Sequence, residues 1–282
     1  MDHLYLSMTV FLKNNNQIDH KKTALLIKKE LEKGVTNFFV DQYYYNEYNF
    51  SNSNFFDFYK KVAKLLPQNS NLIIDMSSDM LGRVEVLMSK LENKKENIFY
   101  SLNLTTELLK EYRNESEHIL NILDQNSNKI YFKIIPQALE NKEFEKLVAN
   151  NKIKGLIVET DYDPDFDIKI PENIKSCQTN LEIIYKADDL YLVALKNNNS
   201  ILSNYAGILT ADFLTIYNNF RNKRYEEALQ SQEFLNEKLN LLEKYNYFKV
   251  VNYYLNQIEK LNSASFSNLK LKYKKKMELR DI

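Results

Sequence analysis

Cysteine occurs once in the 282 residues, at Cys177, so no intrachain disulfide can form. A small fold stapled by cross-links is thereby excluded, and a lone thiol fits a reducing compartment, so a cytoplasmic protein is expected. Tryptophan is absent, and there are only four glycines. No glycine-rich turn follows the first apolar run, where Val10 leads into Phe11-Leu12-Lys13-Asn14. A doubly wound dinucleotide-binding sheet needs such a turn. Net charge is also missing: 38 basic and 38 acidic side chains leave a formal charge of zero. General nucleic-acid binders need a basic surface to neutralise phosphates, so nucleic acid is not an expected partner. The basic stretch from Lys270 to Lys276 reads as a solvated helix end. No apolar run approaches the ~18 residues of a membrane span. The segment from Leu4 to Leu12 is short and lacks the basic lead and small-residue cleavage site of a secretion signal. A membrane is not an expected partner either.

Core-forming residues are plentiful. Hydrophobic residues make up 44% of the chain and aromatics 13%, which argues against disorder. Short apolar runs alternate with segments of helical periodicity. The spacing predicts strands over Leu4–Val10, Thr36–Val40, Asn71–Asp75, Asn97–Tyr100, Lys129–Ile135, Lys154–Val158, Leu181–Tyr185 and Ser200–Ser203. Helices are predicted from an Asp19 cap through Lys33, with Gly34 just past the end, and over Ser53–Leu66, stopped by Pro67. Others are predicted over Asp79–Leu91, Thr105–Leu123 and Leu139–Ala149. Strands separated by helices imply parallel βαβ units, and eight of them suggest a closed (β/α)8 TIM barrel, an α/β architecture that needs ~250 residues. From Thr210 onward the pattern is helical, over Ala211–Phe220, Tyr225–Tyr245 and Phe248–Asn262. The expected organisation is a barrel over 1–222, with 223–282 as appended C-terminal helices of the same domain.

Several segments carry a family resemblance in the right order. They are Thr9-Val10-Phe11 with Asn16-Gln17-Ile18-Asp19, Glu32-Lys33-Gly34-Val35, Tyr43 to Glu47 followed by Phe50-Ser51, and Lys133-Ile134-Ile135-Pro136. They continue with Gly155 to Asp163, Ser200 to Ala206, and Arg224 to Leu229. Together they resemble the dihydrodipicolinate synthase / N-acetylneuraminate lyase family over nearly the whole chain. The resemblance implies a barrel fold, a homodimer or homotetramer, and a 2-keto acid or sugar ligand. It also implies a lysine on the sixth strand that forms a Schiff base with pyruvate, with no further cofactor and no metal.

The departures fall on that chemistry. Val158 stands at the lysine position and has no amine. Tyr44 and Tyr45 replace the threonine pair that holds the pyruvate carboxylate. Lys133 replaces the tyrosine that relays protons, while Tyr43, Asn46 and Ser200 replace glycines that leave room for substrate. The expected pocket residues are therefore Tyr44, Tyr45, Glu47, Val158 and Ser203, with Lys133 as the catalytic candidate.

Lys133 is predicted at the C-terminal mouth of the fifth strand, where barrel enzymes place their sites. A buried lysine there can lose its charge and act as a nucleophile. Otherwise it is a cation paired with Glu159, Glu47 or Asp161. Tyr43, Tyr44, Tyr45 and Tyr48 can stack on a ligand, fill an empty site or pack on a second subunit. The acidic series Glu159, Asp161, Asp163, Asp165 and Asp167 lacks the glycine and final glutamate of a calcium loop and reads as solvated. His3, His20 and His118 fall away from strand ends, and nothing in sequence activates Cys177. Two readings follow: a binding or scaffold protein without aldolase activity, or an active lyase on a sialic acid or other 2-keto acid through a relocated Lys133.

Overall fold

The structure is a computed structural model. It describes residues 3–8, 10–13, 17–41, 52–76, 97–104, 124–125, 129–140, 144, 148, 153–160, 181–242, 244–245, 250 and 253–254. Eight strands form a closed, all-parallel barrel in the order β1-β2-β3-β4-β5-β6-β7-β8. They are β1 (Leu4–Ser7), β2 (Asn37–Val40), β3 (Asn71–Asp75), β4 (Ile98–Asn103), β5 (Ile130–Ile134), β6 (Gly155–Glu159), β7 (Glu182–Lys186) and β8 (Ser200–Ser203). The eight strands and their order agree with the sequence reading. β1 stops three residues early, and β6 is displaced by one residue, so that it includes Glu159.

The described helices are α1 (His20–Glu32), α2 (Asn52–Leu65), α3 (Tyr191–Lys196), α4 (Ala206–Arg221) and α5 (Tyr225–Leu242). Local chemistry explains α1. The Asp19 carboxylate accepts from the backbone N–H groups of Lys21 and Lys22 at 3.1 and 3.2 Å, satisfying donors that a helix start leaves unpaired. At the other end Gly34 takes φ +87°. Its N–H donates to the Leu31 carbonyl, and that of Val35 to Glu30, which closes the helix as a Schellman motif. α4 begins five residues before the predicted start and kinks at Leu209. α3 was not predicted. Its six residues Tyr-Leu-Val-Ala-Leu-Lys are too short for a helical period to show. The predicted helices over 79–91, 105–123 and 248–262 lie largely or wholly outside the described residues.

The barrel interior is filled by one buried side chain from each strand: Tyr5, Phe39, Ile73, Phe99, Tyr131, Ile157, Ile184 and Leu202. Burying each is worth roughly 1.5–3 kcal/mol, and together they make the interior a packed core and not a pore. Below this belt the floor is polar. The Glu182 carboxylate accepts from the Tyr5 hydroxyl at 2.9 Å, the Tyr131 hydroxyl at 2.8 Å and the Ser200 hydroxyl at 3.3 Å. Burial and the neighbouring Glu182 raise the pKa of both phenols, and the proximity of Tyr5 adds to the rise at Tyr131, so both hold their protons as donors. Gly155 is required on this floor. A Cβ there would lie 2.2 Å from the Glu182 carbonyl oxygen and 2.9 Å from a Tyr131 ring carbon.

The chain divides into compact units Met1–Leu239 and Asn240–Ile282. Among the described residues no helix is long and apolar enough to cross a membrane.

Candidate functional site

Side chains alternate along a strand, so the residue two beyond each core residue faces the barrel interior one pleat nearer the C-terminal mouth. That step leads from Tyr5 to Ser7, Phe39 to Asp41, Ile73 to Asp75 and Phe99 to Ser101. It leads also from Tyr131 to Lys133, Ile157 to Glu159 and Ile184 to Lys186. Seven strands therefore place a hydroxyl, carboxylate or ammonium above the same apolar belt. Barrel enzymes build their sites at this end.

The charged members form a continuous ladder. Lys133 Nζ lies 3.2 Å from Glu159 Oε1 and 3.7 Å from Asp75 Oδ2. Lys186 Nζ lies 2.8 Å from the same Glu159 oxygen and 3.6 Å from Asp41 Oδ2. The Ser101 hydroxyl donates to Asp75 Oδ1 at 2.9 Å. Asp75 and Lys133 are nearly closed off from solvent, with side-chain exposures of 2% and 10%, whereas Glu159 keeps 36%. The deep pair is thus the fixed part of the ladder, and Glu159 is its solvent-facing rung.

The protonation of Lys133 follows from these neighbours. Burial alone would lower its pKa. Asp75, Glu159 and Asp41 together outweigh burial and hold it above the usual lysine range. For Glu159, burial works against ionisation, but Lys133 and Lys186 overcome it and keep the carboxylate below its ordinary value. Both therefore carry their charges at neutral pH. An ammonium so held has no lone pair with which to attack a carbonyl carbon.

Of the residues singled out in sequence, Lys133 and Glu159 meet as one of the anticipated pairs. Val158 does not join them. It is completely buried between Ile157 and Glu159, which face inward, and alternation turns it to the outer face of β6. The residue that β6 presents to the mouth is Glu159. The conclusion that this strand offers no amine is unaffected, because its sequence is Gly-Leu-Ile-Val-Glu. Ser203 is likewise buried on the outer face of β8, one residue beyond the inward Leu202. It lies against the Asp188 carboxyl, though neither its hydroxyl nor Asp188 Oδ1 has a partner of good hydrogen-bond geometry. Ser200, expected to crowd the substrate, sits on the floor with Glu182. Tyr43, Tyr44, Tyr45, Glu47, Tyr48, Asp161 to Asp167, His118 and Cys177 lie outside the described residues. His20 opens α1 and stacks on Phe58. Among the described residues no group of three or more His, Cys, Asp or Glu could hold a metal ion.

Sequence reasoning missed Ser7, Asp41, Asp75, Ser101 and Lys186. Their common signal is an inward apolar residue, one intervening residue and then a polar one, repeated on successive strands. It is visible as Phe-Val-Asp, Ile-Ile-Asp, Phe-Tyr-Ser, Tyr-Phe-Lys, Ile-Val-Glu and Ile-Tyr-Lys.

Among solved structures, 2-keto-3-deoxygluconate aldolase from Picrophilus torridus superposes with a TM-score of 0.71 at 19% identity, covering 90% of this chain and 93% of its own. N-acetylneuraminate lyase from Mycoplasma synoviae gives 0.70 at 13% identity, with 87% and 83% covered. The first monomeric dihydrodipicolinate synthase variant gives 0.68 at 12%, with 85% and 81% covered. This chain shares the barrel fold of those aldolases and lyases. No protein-family model matches it, and no curated protein matches it in sequence.

Proposed function

We propose that the chain is a distant member of the synthase/lyase family that lacks Schiff-base aldolase activity and acts as a binding or scaffold protein. One observation carries the reading: the lysine at the mouth, Lys133, is locked as a cation between Asp75 and Glu159. β6, the strand that bears the amine in the resembled family, offers Glu159 instead. A ladder of fixed charges above a packed apolar belt suits holding a small polar molecule, such as a 2-keto acid or sugar. It does not suit forming an imine. Self-association into a homodimer or homotetramer and residence in a reducing cytoplasm belong to the same proposal. Sedimentation velocity of the full chain tests the first of these.

The competing reading is an active lyase on a sialic acid or another 2-keto acid with a relocated lysine. It rests on the position of Lys133, whose side chain reaches the inner face of the mouth from β5. Incubation with pyruvate and borohydride, followed by intact-mass measurement, separates the two. The binding-protein reading expects an unmodified chain and no release of pyruvate from sialic acid. A reduced pyruvate adduct on Lys133 overturns it.

A further inference from the structure

The connection from β7 to α3 runs through the turn Asp188–Leu190, which begins two residues after Lys186 of the ladder. The turn packs against β8 and α3. Two side chains support it. α3 has no side-chain cap of its own. The buried Gln232 of α5 supplies one, its Oε1 accepting from the Leu192 N–H at 2.9 Å. The second support is Asp188. Its carboxyl accepts from the backbone N–H groups of Asn204 and Tyr205, where β8 passes into α4, and lies against the Ser203 hydroxyl. One carboxyl therefore ties the end of β7 to the end of β8 at the rim of the mouth.

This tie suits a neutral carboxyl. Asp188 Oδ1 is enclosed without a hydrogen-bond partner, and so is the Ser203 oxygen. A protonated carboxyl has an O–H to donate, and a hydroxyl oxygen has lone pairs to accept it, whereas an ionised carboxylate only accepts. Among the described residues Asp188 has no ion pair to offset a charge. β8, Ser-Ile-Leu-Ser, carries no charged residue. The one cation of α3, Lys196, is exposed at its far end. Asp189, beside Asp188 on the turn, repels a second negative charge. Burial is the largest influence, and the carboxyl is pushed up from 3.8 to about 7. The residue as a whole is half-buried, so water is close at hand for an ionised side chain.

We propose that Asp188 is a proton-operated latch at the rim of the mouth: protonated, it holds the β7–α3 turn against the end of β8, and ionised, it moves to water and the turn opens. The latch requires no particular chemistry at the mouth and stands apart from the binding-protein reading. An open turn returns the carboxyl to its ordinary value. Opening therefore becomes easier as pH rises from 3.8 to about 7, and changes no further above that. The Gln232 cap has no titratable group and holds equally at every pH.

Hydrogen exchange of the full-length protein at pH 5 and pH 8, read by mass spectrometry and corrected for the intrinsic pH dependence of amide exchange, tests the latch. Peptides containing 189–192 and 204–206 should open about tenfold more readily at pH 8. They should exchange while peptides from β3 and β4 are still unlabelled. Asp188→Asn should remove most of the pH difference in both segments. Gln232→Leu should ease opening around 191–194 by a similar factor at both pH values and leave the pH difference in place. Equal opening of the wild-type segments at the two pH values overturns the proposal. So does a pH difference that survives Asp188→Asn or that Gln232→Leu abolishes. Exchange of the turn only together with the barrel strands also overturns it, because that marks global unfolding and not a latch.

Discussion

Replacing Asp188 with asparagine should stabilise the protein above neutral pH and have progressively less effect as the solution becomes acidic. Asp188 opens the 3-10 turn Asp188–Leu190 that follows β7. Burial is the largest influence on its carboxyl and raises the pKa. The Ser203 hydroxyl and the N–H groups of Tyr205 and Asn204 pull the other way, while the charge of Asp189 adds to the rise. The outcome is a pKa pushed up from 3.8 to about 7. At about 1.36 kcal/mol per pH unit, that span sets a ceiling of about 4 kcal/mol on the cost of holding the charge. The residue as a whole is only half-buried, yet Oδ1 is enclosed and lacks a well-placed donor. Some screening by the accessible part lowers the expectation to roughly 2–3 kcal/mol.

The sign follows from proton counting. Between pH 3.8 and about 7 the folded chain keeps a proton on Asp188 that the unfolded chain has released. The native state then binds more protons than the unfolded one, so stability falls as pH rises through this window. Below it the group costs nothing, and above it the cost is complete. Asparagine keeps an acceptor for the Tyr205 and Asn204 N–H groups and carries no charge. Urea denaturation of both proteins at pH 5 and pH 8 measures the effect. The variant should be more stable than wild type at pH 8, and its advantage should shrink by about 1–2 kcal/mol at pH 5. A difference that is constant with pH, or that grows in acid, would refute the burial argument.

Other substitutions probe the frame of the site. Gly155→Ala pushes a methyl group against the Glu182 backbone and the Tyr131 ring, and should cost about 3 kcal/mol or more in denaturant stability. Tyr131→Phe removes the donor to Glu182 Oε2 and should lower stability by about 1–2 kcal/mol. Asp19→Ala removes the α1 cap and should cost about 1 kcal/mol. Lys133→Met removes the ammonium facing the enclosed Asp75 carboxylate and should cost roughly 3 kcal/mol, with Asp75→Asn in the same chain restoring most of it. That double-mutant cycle measures the pair directly.

The barrel was legible because its signals are local. Each strand is a short apolar run, and the Asp19 and Gly34 boundaries of α1 are set by backbone chemistry that a few residues specify. Lys133 was legible for the same reason: counting two residues along the fifth strand places it above Tyr131. The ladder was not, because its members come from β2, β3, β5, β6 and β7, and closure of the barrel brings them together. β6 shows how little can mislead. The resemblance put Val158 at the lysine position, whereas the register of β6 turns Glu159 inward, and in a strand a one-residue slip turns every side chain to the other face. α3 went unseen because six residues do not complete two turns.

Whether a lysine at this mouth is a nucleophile is decided less by its strand than by the carboxylates around it. Burial of Lys133 is the strongest single influence, and it favours the neutral amine that imine chemistry needs. Three acids reverse that tendency: Asp75 and Glu159 in contact, and Asp41 farther off. Asp75 has the larger influence, and Glu159 adds to it as the residue that β6 presents at the mouth, where it also binds Lys186 through the same oxygen. Placing an acid on the sixth strand therefore does two things at once. It occupies the position from which this strand faces the mouth, and it adds to the pull of Asp75 that keeps Lys133 charged. The charge of Lys133 is thus set jointly from β3 and β6, by Asp75 and Glu159.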